Sequence, residues 1–148
     1  MAKVTNLFLA PKRRAAMREL NETQVIENCG VEGCAHARPG GKRQVLLMDI
    51  ETLHAMYLAP GILRENITTE GLDVNGLQIG QKLRAGEVEL EVSAVCEPCE
   101  LMEEIRIGLM DELKGRRGML CRVKCGGRLG VGDSIEPLAA VEEVRSLE

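Results

Sequence analysis

From Val88 to Cys96 the chain reads VELEVSAVC, with Val88, Leu90, Val92, Ala94 and Cys96 on one side of a period-two alternation and Glu89, Glu91 and Ser93 on the other. Successive side chains of a strand point to opposite faces, so this run specifies a strand with one apolar and one solvated face. Such a strand needs a sheet, and the sequence offers short partners at regular intervals. Ala2–Leu9 reads as a strand, and Met119–Cys125 alternates again, with Met119, Cys121, Val123 and Cys125 together. Val45–Ile50, VLLMDI, is a continuous apolar run, as expected for a strand covered on both faces. Glu22–Asn28, Leu63–Thr68, Leu77–Ile79 and Ser134–Glu136 are weaker, shorter candidates.

The punctuation supports the same class. Sixteen glycines in 148 residues exceed the typical share of ~7% and favour tight turns over long helices. Two helices are expected: a short one over Glu51–Leu58, stopped by Ala59-Pro60-Gly61, and one clear helix over about 100–114. In the second, Leu101, Ile105, Leu109 and Leu113 form an i, i+4 stripe that ends at Gly115. Pro11–Leu20 is basic and suits either a short helix or a loop, and Val141–Leu147 reads as a helical tail. Short strands joined by turns, with one real helix, predict a mainly β fold, a barrel and not a set of βαβ units. The length fits one domain over residues 1–148, with its motifs in about 2–137 and a tail over 138–148.

Composition excludes several functions. Nineteen basic against 23 acidic residues imply no broad basic face, and one Phe, one Tyr and no Trp leave no aromatic platform for nucleic acid. No apolar run approaches the ~18 residues of a membrane span. The N-terminus places its charges after a short apolar stretch, unlike a signal peptide, so a cytoplasmic location is the expectation. Six cysteines there are thiols or ligands before they are bridges.

Cys96 and Cys99 form a C-x-x-C at the end of the alternating strand. Cys99 follows Pro98 and falls at or near the start of the expected helix, where backbone N–H groups favour a thiolate. Glu97, Glu100, Glu103 and Glu104 crowd the same turn and oppose another negative charge, a conflict that a cation or a metal would settle. Alternation assigns Cys96, Cys121 and Cys125 to packing, and a thioredoxin-type site is disfavoured because it needs parallel strands with helical crossovers. Cys29 and Cys34 could join the pair as zinc ligands, although only one close knuckle is present. His36 lies in a glycine-rich loop with Arg38, Lys42 and Arg43, either solvated or donating to an anion. Arg64-Glu65-Asn66 sits among Ile62, Leu63 and Ile67, so its polar groups must be paired; it either staples two loops or leaves Arg64 for a ligand. Arg116 and Arg117 form a phosphate fork or a solvated turn.

Three segments, GVEGCAHARPGGKRQVLL, LAPGILRENITTEGLDVNGLQIGQKLRAGEVELEVSAVCEPCELM and GRRGMLCRVKCGGRLGVGDSIEP, carry in order H-x-x-x-x-x-x-R-Q, R-E-N-I, C-x-P-C and V-G-D. Together they run from Gly30 to Pro137, and they resemble the MOSC domain, the C-terminal part of molybdenum cofactor sulfurases and also a stand-alone protein, a resemblance that covers about Ala2 to Pro137. The resemblance implies a mainly antiparallel β-barrel with a few short helices. It implies that Cys99 is the functional thiol, as ligand to the metal of a molybdenum-bearing pterin cofactor or as carrier of persulfide sulfur for cofactor maturation. His36, Arg43, Arg64 and Asn66, with Arg116 and Arg117, would bind the pterin. A cysteine desulfurase or an electron-donor protein would be a partner, and pyridoxal phosphate is not expected in this domain alone. The alternatives are a molybdoenzyme that reduces N-oxygenated substrates or transfers oxygen atoms, and a non-catalytic zinc-stabilised β-barrel. One departure stands out: such relatives commonly have Gly-Asp before the loop histidine, and here the pair is Gly33-Cys34. The cysteine is either a sulfur relay or, as favoured here, the mark of a subfamily.

Overall fold

The computed structural model describes residues 1–139; the tail expected over Val141–Leu147 lies outside them. The strands are β1 (Lys3–Leu9), β2 (Arg18–Leu20), β3 (Glu22–Ile26), β4 (Gly30–Val31), β5 (Val45–Asp49), β6 (Ile67–Glu70), β7 (Lys82–Ala85), β8 (Val88–Val95), β9 (Met119–Cys125), β10 (Gly127–Gly130) and β11 (Ile135–Pro137). Helices α1 (Ile50–Ala55), α2 (Met102–Ile105) and α3 (Leu109–Glu112) are all short, so the fold is mainly β. Eight strands form one sheet in the order β11-β7-β8-β9-β5-β6-β1-β2, and β10-β3-β4 form a second. The basic segment from Pro11 is a loop that ends in β2.

The sheet curls but its ladder does not close into the expected barrel. Its order ends on β11 and β2, and the seam between β1 and the approach to β11 carries a single bridge, Lys3 to Ser134. Around it, Val4 N–H donates to Asp133 O (2.8 Å), Gly132 N–H to Val4 O (2.8 Å) and Ile135 N–H to Ala2 O (3.1 Å). The seam stays short because the same edge of β1 turns to β2 from Leu7 onward. Most pairings are antiparallel, but β5 and β6 run parallel with α1 between them, a βαβ unit that the alternation pattern had argued against. Asp49 caps α1 by accepting from Thr52 N–H (3.0 Å) and Thr52 Oγ1 (2.7 Å).

As expected for a strand covered on both faces, all of β5 is buried. Val45 and Leu47 face the main core with Leu7, Val92, Cys121 and Val123, while Met48 packs under the helices with Leu53, Leu63, Met102, Leu109 and Leu113. Leu46 belongs to a third, small cluster with Cys96 and Leu120.

The helix expected over 100–114 is two single turns. Gly108 takes a left-handed φ of 89° and Arg106 is extended, so the ladder breaks between them. The carboxylate of Glu103 spans the break, accepting from Gly108 N–H and Met110 N–H, both at 2.9 Å. Those bonds hold the Glu103 carboxyl below its usual range.

Two bulges between β8 and β9 decide where the cysteines point. Pairing runs Glu89–Cys125, Leu90–Val123, Val92–Cys121, Ala94–Leu120, which inserts Lys124 on one strand and Ser93 on the other. An extra residue reverses the inside-outside alternation beyond it. Cys125, expected in the core, is therefore exposed, while Cys121 stays buried. Cys96, assigned to the same face as Val88, has moved to the opposite face, against Leu46 and Leu120.

Candidate functional site

That opposite face floors a cavity of about 650 Å³, within the usual range for a small-molecule site. Leu46, Leu120 and Cys96 form the floor, and Cys99 and Leu101 enter from the irregular segment that follows β8. Seven cationic side chains line it: Arg13, Arg14, Arg38, Lys42, Arg43, Arg64 and Arg117, together with His36. Among the described residues, no carboxylate lines it. Seven like charges around one hollow repel one another and focus a positive field, which favours an anionic occupant.

The polar groups deepest in the wall carry the same message. Arg117 is only 6% exposed, yet its Nε and Nη1 have no hydrogen-bond partner among the described residues. Arg64 donates from Nη1 to Ala15 O (2.6 Å) and leaves a buried Nη2 without a partner. Buried guanidinium N–H groups are rarely left unsatisfied, and such exceptions call for a missing acceptor. Arg14 and Arg64 are also two of the four non-glycine residues with positive φ, at 64° and 65°. Backbone held in that region costs on the order of 1–3 kcal/mol and gathers at ligand sites.

Of the residues selected from sequence, Cys99, His36, Arg43, Arg64, Asn66 and Arg117 line this cavity. Arg116 does not; it is exposed, and its Nε donates to Glu112 O at 2.9 Å. Asn66 is present but its amide is engaged in the frame: Oδ1 accepts from Leu46 N–H (3.0 Å), and Nδ2 donates to Phe8 O (3.1 Å) and Cys34 Sγ (3.5 Å). Glu65 is engaged in the frame too, accepting from Gly61 N–H and Thr68 Oγ1, both at 2.8 Å. Cys99 is exposed, three residues before a one-turn helix without a side-chain cap, so the expected helix-start stabilisation is minimal. Its positive surroundings come from the cavity arginines instead, and none of the four nearby glutamates lines the hollow. Cys96 feels burial first, which pushes its thiol up, with the charges of Arg117 and Arg43 pulling the other way.

Arg13 and Arg14 also line the cavity; the basic cluster KRR is the signal for them, but nothing local shows that its loop lies against Arg64. Zinc finds no ligand set here: among the described residues no three His, Cys, Asp or Glu side chains come together as a metal site.

Cys34 sits behind His36 and is 7% exposed. Burial pushes its thiol up, but hydrogen bonds from the His36 side chain, from Ala10 N–H (3.4 Å), from the His36 backbone and from Asn66 outweigh this and bring it down to about 7. The fold thus favours the thiolate. Its contribution to stability is complete above the unfolded value of 9.0 and is lost as pH falls through 7. Relative to Cys34→Ser, the wild type should gain on the order of 2 kcal/mol between pH 6 and pH 9 in urea unfolding. Parallel pH profiles for the two proteins would sink this.

A sequence profile of the MOSC domain matches residues 40–136, which include Arg43, Arg64, the C-x-x-C and Arg117. The chain belongs to the MOSC domain family. No curated protein sequence matches it. Three solved structures share the MOSC fold with it. YuaD from Bacillus subtilis has a TM-score of 0.77 at 19% identity, covering 93% of this chain and 96% of its own. YiiM from Geobacillus stearothermophilus has a TM-score of 0.77 at 16% identity, covering 94% and 76%. YiiM from Escherichia coli has a TM-score of 0.68 at 18% identity, covering 93% and 70%. Membership of the MOSC family supports a role related to the molybdenum cofactor in general.

Proposed function

We propose that this MOSC domain binds the molybdenum cofactor and carries activated sulfur on Cys99 for its maturation, in a cytoplasmic setting where thiols stay reduced. The observation that supports this reading best is an arginine-lined cavity with no carboxylate among the described residues, whose buried Arg117 has two N–H groups unpartnered among them and which the exposed thiol Cys99 also lines. The donor set fits such a group. Arg64 and Arg117 line the cavity with guanidinium groups, whose geometry matches phosphate oxygens well, and among the described residues Arg64 Nη2 and Arg117 Nε and Nη1 have no partner. Arg13, Arg14, Arg38, Lys42 and Arg43 supply charge around the rim. The soft sulfur of Cys99 suits a thiophilic metal, and the same thiolate is the group that would bear sulfane sulfur. When bound, the cofactor would supply a molybdenum centre for two-electron chemistry. His36 lines the cavity among these cations, and Leu46 and Leu120 keep the floor apolar. A cysteine desulfurase would be the sulfur source within this proposal.

The test is metal, pterin and sulfur content of protein made in a molybdenum-replete host. Molybdenum and pterin should co-purify in stoichiometric amounts with the wild type, and sulfane sulfur delivered by a desulfurase should map to Cys99. Cys99→Ser should lose the sulfur label and most of the molybdenum. Equal molybdenum and pterin in both proteins, with no label on Cys99, would overturn the proposal.

A further inference from the structure

The Ser93 bulge does more than take Cys96 out of the main core. It brings Cys96 to the cavity that Cys99 enters, so both residues of the C-x-x-C line one hollow. We propose that Cys96 is the resolving thiol of this site: it attacks the Sγ of a persulfidated Cys99 and releases the carried sulfur as hydrosulfide, leaving a Cys96–Cys99 disulfide. This rests on the sulfur-carrier reading of Cys99. In the step, the bond between Cys99 Sγ and the sulfane sulfur breaks, and its electron pair leaves with the sulfane sulfur. The bond between the two Sγ atoms forms, and the Cys96 proton goes to the departing sulfur. One sulfur atom is reduced to the sulfide level and two thiols are oxidised to a disulfide, which a cellular dithiol reductant returns to the resting state.

Four observations carry the assignment. The two residues are three apart, and the segment between them is neither strand nor helix, so no ladder holds them apart. Its ends are anchored: Cys96 N–H donates to Gly118 O (3.0 Å), and Cys99 O accepts from Met102 N–H (3.0 Å). Cys96 is 4% exposed and shares its small cluster with Leu46 and Leu120, which shields it from bulky external oxidants while leaving it at the floor of the hollow. Arg117 lines the same hollow and brings its positive charge to a departing anion. Cys34, the other buried thiol near the site, does not line the cavity, and its sulfur is engaged by Ala10 N–H, Asn66 and His36.

The experiment compares reduced wild type with Cys96→Ala, which keeps an apolar group against Leu46 and Leu120, with Cys96→Ser as a second variant and with Cys125→Ser as an exposed control. Each protein receives inorganic polysulfide, and after its removal sulfide release, intact mass and linked peptides are followed. Both Cys96 variants should keep the extra sulfur atom on Cys99 roughly tenfold longer than wild type or Cys125→Ser. Wild type and Cys125→Ser should release stoichiometric sulfide and yield the Cys96–Cys99 peptide. A wild-type persulfide as long-lived as that of the Cys96 variants overturns this inference and leaves the carrier reading standing. No sulfur on Cys99 in any protein overturns both. Diamide oxidation of the folded wild type supplies a separate arm: it should produce the same linked peptide, and failure to form the link overturns the inference whatever Cys99 carries.

Discussion

Arg117→Met is expected to raise the thermal midpoint of the ligand-free protein while weakening its affinity for pyrophosphate by about 10- to 100-fold. Both effects follow from a guanidinium that is 6% exposed, with Nε and Nη1 unpartnered among the described residues. A buried, uncompensated charge is costly, and an apolar residue of similar length removes that cost, a gain on the order of 1–3 kcal/mol. At this chain length such a gain is a few degrees. Hydrogen bonds to charged groups contribute about 1.5–3 kcal/mol, which sets the loss in binding. Differential scanning fluorimetry and calorimetric titration with pyrophosphate at low salt would measure the two changes. A variant that melts earlier and binds equally well would show that Arg117 serves the frame and not a ligand.

Asn66→Ala should cost on the order of 3–5 kcal/mol in urea unfolding, enough to consume much of the stability of an ordinary domain. The amide ties three places together, with Leu46 N–H on β5, Phe8 O on β1 and Cys34 Sγ in the loop before His36. Truncation would leave Leu46 N–H and Phe8 O buried without these partners, each at about 1–3 kcal/mol. Pyrophosphate affinity of the folded fraction should stay within about threefold of wild type. If stability holds and affinity falls tenfold or more, Asn66 contacts the ligand directly and the present assignment of its amide to the frame fails.

Much of the site was legible from local sequence. Arg43, Arg64 and Cys99 belong to ordered motifs whose residue types already speak of an anion and a soft ligand, and His36 stands among cations in a loop too rich in glycine to be regular. Other features were hidden because they depend on contacts between distant segments. The value of Arg117 over its neighbour Arg116 lies in burial, which spacing within a turn cannot show. Arg13 and Arg14 join the cavity only because their loop lies against Arg64, through the Ala15 carbonyl. What Cys34 meets in place of the usual carboxylate is likewise invisible in Gly33-Cys34 itself. In the fold its sulfur accepts from Ala10 N–H and Asn66 Nδ2, and hydrogen bonding brings the thiol down to about 7.

By itself the sequence determined a mainly β chain, the approximate positions of its strands, the continuous burial of Val45–Asp49 and the exposure of Cys99. Hydrophobic periodicity and turn residues are local properties, and they decide strand existence before any tertiary contact forms. Tertiary structure alone decided which way the cysteines face. The alternation that begins at Val88 holds through Val92 and then meets Ser93, whose insertion opposite β9 depends on the register of a strand some thirty residues away. One unpaired residue reverses everything beyond it. It turned Cys96 from core packing into the floor of an arginine-lined cavity beside Cys99, because register is a property of two strands and no single strand contains it.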